Sequence, residues 1–344
     1  MSVQSLNSRF SLGTQSGKGS AATAFITALS TVSGGDVQFD ERQPENEHPG
    51  PTGGLAIDQT AATELTGFLV PVTNTFILRP KYIGRVLRAM GFGVSTVNNT
   101  THYTHTFTLA AASSAAYSSA IHLLDGSSAD LERLVTDIRG RSLSITGDQQ
   151  VLRGVFEGVG LDEGAAGGSE TKVSEIDVPI SIYSGSVTAD IGGDGIASLA
   201  IRGSSLQITQ TLDEQDKVHF STTRNDNPVL SRSISGSLQN IDIDMDTYLL
   251  YKGTKWGGSA GTGPYTTEMP TGTVTWTYQS QSNISGAAVP YRLTVLMPTV
   301  EWRMTTPQAN GRDLVRGNLD FRMLGITGET PITITLVNDV SAYS

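Results

Sequence analysis

The chain has no cysteine among its 344 residues. That removes disulfides, thiolate nucleophiles and cysteine-ligated zinc together. Histidine is scarce too, at five residues, which leaves little material for metal centres or general-base pairs. Charged residues make up only 16% and aromatics 7%. So low a charge leaves room for extensive buried contact between subunits. The first residues carry no basic run followed by an apolar block, so no Sec export signal is expected. No apolar run approaches the roughly 20 residues a membrane span needs. The reading is therefore a soluble protein made in a cytoplasm. Acidic residues outnumber basic ones, 33 to 23, for a net charge of −10. That argues against gripping nucleic acid through its phosphates, and is compatible with a surface past which nucleic acid slides.

What is present points to β structure. Threonine, valine, isoleucine and glycine fill the periodic stretches, and long Leu/Ala/Glu/Lys runs are scarce. The length allows two domains, each with its own core. The stretch 140–160 reads as two alternating strands about a Gly147-Asp148 turn, with Leu143 and Ile145 on one arm and Val151, Val155 and Val159 on the other. A related stretch covers 299–325. There Val315-Arg316-Gly317 answers Leu152-Arg153-Gly154, with the glycines 163 positions apart, and Gly325 answers Gly160 at 165. The chain reads as an internal duplication.

The expected organisation follows from that repeat. Residues 1–20, rich in Ser, Gly and Gln, read as a flexible arm. Residues 21–165 form a first β-domain and 166–344 a second, with the Gly-rich 161–170 as linker. In the first domain, strands are expected at 24–29, 36–39, 55–72 and 103–109. One helix fits 78–91, where Ile83, Val86, Leu87 and Met90 fall at helical spacing, Pro80 suits the first turn and Gly91 the stop. A short turn is expected near 128–133. In the second domain, strands are expected at 180–190, 198–210, 233–238, 273–278, 292–297 and 332–336. Gly236 answers Gly67 at an offset of 169, a helical turn at 246–252 answers the helix, 273–278 answers 103–109, and 338–344 is a polar tail.

Motifs of chemistry mostly fail. Gly257-Gly-Ser259-Ala-Gly261 has the letters of a nucleophile elbow, but all five histidines precede it and its flanks read as loop. Gly13 to Gly19 lacks the four-residue spacing and the Ser or Thr after lysine that a phosphate loop needs. Asp242, Asp244 and Asp246 have the opening spacing of a calcium loop but lack its glycine and its bidentate glutamate. On a strand these three carboxylates share one face. His102 and His105, three apart on a strand, point to opposite faces. No catalytic, cofactor or metal site is expected, and the chain is read as no enzyme.

The order of these elements resembles a family. A Leu65-Thr-Gly67 strand precedes Leu78-Arg-Pro-Lys-Tyr-Ile-Gly-Arg-Val-Leu87 and Met90-Gly-Phe-Gly93. A Tyr103-Thr-His-Thr-Phe107 strand and a hairpin closing on Val155-Phe-Glu-Gly-Val-Gly160 follow. Together with Arg224-Asn-Asp-Asn-Pro228, Ile234-Ser-Gly-Ser-Leu238 and Tyr248-Leu-Leu-Tyr251, this is similar to the tail tube (major tail) proteins of bacteriophages with long, non-contractile tails. The resemblance spans roughly 20–340. It implies a mainly β fold of two tandem β-sandwich domains, each with a flanking helix, whose sheets join between subunits into a closed β-barrel. It implies a virion protein stacking in rings into the hollow tube that delivers DNA, with a tape-measure protein inside and tail-tip and tail-terminator proteins at the ends. Two domains per chain favour a trimeric ring of pseudo-sixfold symmetry over a hexamer. Acidic residues expected at the lumen are Glu157, Asp242, Asp244, Asp246 and Asp320. Competing readings are a two-domain β-sandwich surface adhesin or binding module, or another phage tail or neck component.

Overall fold

The computed structural model describes residues 9–28, 37–39, 43–47, 64–111, 116–123, 132–147, 151–166, 170–190, 201–214, 226–242, 271–304, 316–326 and 328–343. They form a mainly β protein with one helix. The first half contains β1 (Arg9–Thr14), β2 (Ala24–Thr27), β3 (Val37–Phe39), β4 (Gln43–Glu47), β5 (Glu64–Ile77), α1 (Tyr82–Ala89), β6 (Phe92–Asn98), β7 (Tyr103–Leu109), β8 (Ser118–Leu123), β9 (Glu132–Gly147), β10 (Leu152–Gly160) and β11 (Asp162–Ala165). After β12 (Thr171–Ser174) come β13 (Ser181–Ala189), β14 (Gly203–Leu212), β15 (Val229–Asp242), β16 (Thr271–Asn283), β17 (Pro290–Met304), β18 (Arg316–Met323) and β19 (Thr333–Asn338).

One pairing scheme occurs twice. In the first half β1 pairs β8, β8 pairs β9, β9 pairs β10 and β11, and β10 pairs β5. In the second, β13 pairs β16, β16 pairs β17, β17 pairs β18 and β19, and β18 pairs β15. All these pairs are antiparallel. The arm ahead of β5 repeats as well: β3 and β4 together run against β5 from Val37↔Asn74 to Glu47↔Glu64. Likewise β14 runs against β15 from Gly203↔Gln239 to Leu212↔Val229. Every one of these partners is offset by 165 or 166 positions.

Alternation in the sequence dictates which faces are buried. In β14, Ser204, Leu206, Ile208, Gln210 and Leu212 point inward and Gln207, Thr209 and Thr211 outward. Glycine admits close cross-strand packing: a methyl group on Gly154 would come within 2.4 Å of the Phe76 ring opposite it, and one on Gly236 within 2.3 Å of Phe321. A single apolar cluster draws on both halves, from Phe76, Ile83 and Phe156 to Trp276, Trp302 and Ile334. Each such side chain contributes about 1.5–3 kcal/mol by burial. Three ladders also join the halves: β9 with β14, β7 with β19 and, in parallel, β2 with β12.

The helix matches its expected centre. Met90 is its C-cap, and Gly91 follows with φ 75, the left-handed stop that favours glycine. Pro80 lies one residue ahead of the N-cap Lys81 rather than in the first turn. Other expectations need correction. The arm reading of 1–20 fails from Arg9 onward, where β1 lies buried between β2 and β8. Glu132 and Arg133 open β9 rather than closing a turn. The 165-residue offset sets Gly67 against Arg232, not Gly236. Strand β16 answers β8, whereas β7 pairs β6 and β19. The expected helical turn at 246–252 lies outside the described residues. The tail is not merely polar: Asn338 and Tyr343 are fully buried.

Candidate functional site

The seam where β9 meets β14 presents a broad outward face built by simple alternation. Ser142, Ser144 and Thr146 of β9 lie opposite Thr209, Gln207 and Ser205 of β14. These in turn face Ser233, Ser235 and Ser237 of β15. Residues directly opposite share a face of the sheet, so the seam is carpeted with hydroxyl and amide groups. A second carpet crosses six strands, β6, β7, β19, β17, β16 and β13. Its row runs Ser95, Thr106, Thr335, Thr294, Thr277 and Ser186. The residue-by-residue reading missed both. Their signal was in the sequence: Ser or Thr at every second position of 104–108, 142–146, 231–237 and 273–277.

Glu157 and Asp320, 163 positions apart, occupy equivalent places on β10 and β18, exposed on this face. Glu157 lies opposite Ser142, whose Oγ donates to its carboxylate at 2.9 Å. Asp320 lies between Ser237 and Arg303 in register. Beside it, Arg303 and Arg322 both donate to Glu301, at 3.2 and 2.9 Å. Burial would raise the Glu301 carboxyl, but the two guanidinium groups outweigh it and hold it below its usual range. Acids on this part of the face thus stand among arginines. Asp242 ends β15 opposite Arg316. Asp244 and Asp246 lie outside the described residues. Among the described residues, the structure brings Glu157 and Asp320 to one face.

A second site, buried, ties the linker and the chain end to α1. Glu175 is 1% exposed, and its two carboxylate oxygens accept the N–H groups of Lys81 and Tyr82 at 2.6 and 2.8 Å. A carboxylate at a helix start meets the positive end of the helix dipole and its unpaired N–H groups. Burial nevertheless pushes Glu175 up to about 7, against the pull of those two hydrogen bonds. Asp177 accepts from Tyr291 Oη at 3.1 Å and pairs with Lys81 at 2.8 Å, while its carbonyl takes Arg79. From the far end of the chain, Asn338 Nδ2 donates to the Pro80 carbonyl at 2.7 Å and Tyr343 Oη to that of Lys81 at 2.9 Å. The Tyr343 ring stands edge-on to His105, centroids 4.7 Å apart.

The chemistry-bearing candidates of the sequence that fall on described residues are already engaged. His105 is satisfied on both nitrogens, by Thr96 at 2.9 Å and Asn338 at 3.1 Å, and burial holds its pKa down. The turn after Gly13 offers no free phosphate cradle, because the Gly19 N–H already donates to Asp137 at 2.8 Å. Among the described residues no group of three or more His, Asp or Glu could hold a metal ion. No helix there is long and apolar enough to cross a membrane. The elbow-like 257–261 lies outside the described residues. No protein-family model matches the chain, and no curated protein matches its sequence.

Proposed function

We propose that the protein is a structural, self-assembling component of a phage tail tube, a duplicated chain of which three copies close a ring of six equivalent parts. One observation carries this reading: the β9–β14 ladder joins two halves that share a pairing scheme. A contact between repeats inside one chain is a template for the contact between chains. The arm formed by β3 and β4 relates to β5 as β14 relates to β15. Its outer edge is thus the counterpart of the β14 edge that β9 takes, and the matching acceptor is the β17 edge of a neighbouring copy. Strand β16 already follows β17 as far as Glu301, so the neighbour would enter along Trp302–Met304.

Such a contact is heterologous, head to tail, and closes into a ring if the rotation per step allows. Closure removes sheet edges that otherwise template aggregation. The hydroxyl-rich face, whose Arg303 and Arg322 are tied to Glu301 rather than left as clustered free cations, would suit a wall that duplex DNA passes without being held. Tape-measure, tail-tip and tail-terminator partners follow from the same proposal. Electron microscopy of the purified full chain tests it. The expected images show hollow rings or tubes with three chains per layer. Dispersed monomers at high concentration, or six whole chains per layer, would overturn it.

A further inference from the structure

Two arginines, Arg139 and Arg232, stand near each other beside the seam, with Arg88 of α1 on the neighbouring element, and among the described residues the pair reaches one carboxylate. Arg139 of β9 is 3% exposed. Its guanidinium lies 4.4 Å from the Tyr117 ring centroid, donates to the Asn227 carbonyl at 3.3 Å, and stands 3.8 Å from Asp226. Arg232 of β15 is half-buried and donates to Gln210 Oε1 at 2.8 Å and the Ala110 carbonyl at 2.5 Å. Arg88, in the last turn of α1, donates to the Phe92 carbonyl at 2.7 Å. Two residues knit the corner together. Ala110 gives its N–H to the Gly91 carbonyl at 3.3 Å, and Gln210 Nε2 donates to the Gly140 carbonyl, beside Arg139, at 3.0 Å.

The charges do not balance locally. Asp226 is already engaged by Tyr117 Oη at 2.9 Å and the Asn227 N–H at 2.7 Å. The nearby Asp137 is committed to Gln15 Nε2 and the Gly19 N–H. Among the described residues, Arg88 and Arg232 donate to neutral oxygens. Burial lowers both, and Arg139 lowers Arg232 further. Each arginine also keeps one buried nitrogen without an acceptor: Nε of Arg88, Nε of Arg139 and Nη2 of Arg232. Buried cations with unpaired donors call for an anion.

We propose that this corner binds a small tetrahedral oxyanion, phosphate or sulfate, between Arg139 and Arg232. Guanidinium donors match such oxygens in geometry and charge. Tyr117, Asp226 and Arg232 are half-buried, so the corner is not sealed from solvent. The ion would tie β9 to β14 and β15, bracing the seam. The test is thermal unfolding of the full chain in oxyanion-free buffer, titrated with sodium phosphate, with sodium sulfate, and with sodium chloride at matched ionic strength. Phosphate and sulfate should raise Tm saturably, by about 2–3 °C, and chloride should not. Arg232→Gln should abolish the rise, and Arg153→Gln, on the exposed face of β10, should keep it. An equal rise with chloride, or an undiminished one in Arg232→Gln, overturns the proposal. Should Arg232→Gln fail to fold, the phosphorus NMR line of inorganic phosphate decides. Broadening that sulfate reverses supports the site, and an unchanged line overturns it. A Tm rise with short duplex DNA but none with inorganic phosphate would also overturn it.

Discussion

Gly84 and Tyr343 set the end of the chain through one missing methyl group. A Cβ on Gly84 would come within 2.3 Å of the Tyr343 ring. Gly84→Ala is therefore expected to push that ring from its slot, costing about 1–3 kcal/mol as overpacking does. Tyr343→Ala should cost about 3–5 kcal/mol, the usual loss for a buried aromatic side chain. Urea denaturation of both variants checks these values. Glu175 makes a pH prediction. Its carboxyl titrates near 4.5 when unfolded and about 7 when folded. The folded pKa is raised, so this group's contribution is fully present below 4.5 and is lost as pH rises through 7. The loss should be on the order of 3 kcal/mol. Urea midpoints measured from pH 4.5 to 8 should fall along that window, and Glu175→Gln should flatten the fall. A slope unchanged in Glu175→Gln would refute it.

At the scale of elements, legibility followed alternation. Strand β7 has its expected bounds, Tyr103–Leu109, because Tyr-Thr-His-Thr-Phe-Thr-Leu has one buried and one hydroxyl-bearing face. The helix was legible from four apolar residues and a glycine stop. Strand β1 was not, because its two apolar residues, Phe10 and Leu12, stand in a stretch rich in Ser, Gly and Gln that reads as an arm. The chain end was illegible for a different reason: Asn338 reaches Pro80 across 258 positions, a contact no local pattern encodes. The same holds for the buried Glu175 lock and the arginine corner. Glu157 and Asp320 were expected among the acids of one wall, but their equivalent places on β10 and β18 and the arginines beside Asp320 emerge only from strand register. The seam carries its own prediction. With β9–β14 and β7–β19 ladders and a shared core, 1–166 and 170–344 co-expressed as separate chains should co-purify, while 1–166 alone should aggregate through the bared β9 edge. Independent, soluble, monomeric halves would contradict this.

At the scale of the whole molecule, the second half is strapped to the first at both of its ends. Glu175 and Asp177 hold it as it begins, Asn338 and Tyr343 as it finishes, and all four grip the start of one short helix. A half fastened at a single point could swing, and its angle would be chosen by whichever neighbour arrived. Fastened twice, it has no such freedom. Under the proposed ring, each molecule would arrive like a compass locked before it touches paper, its arc already drawn in the folding of a single chain.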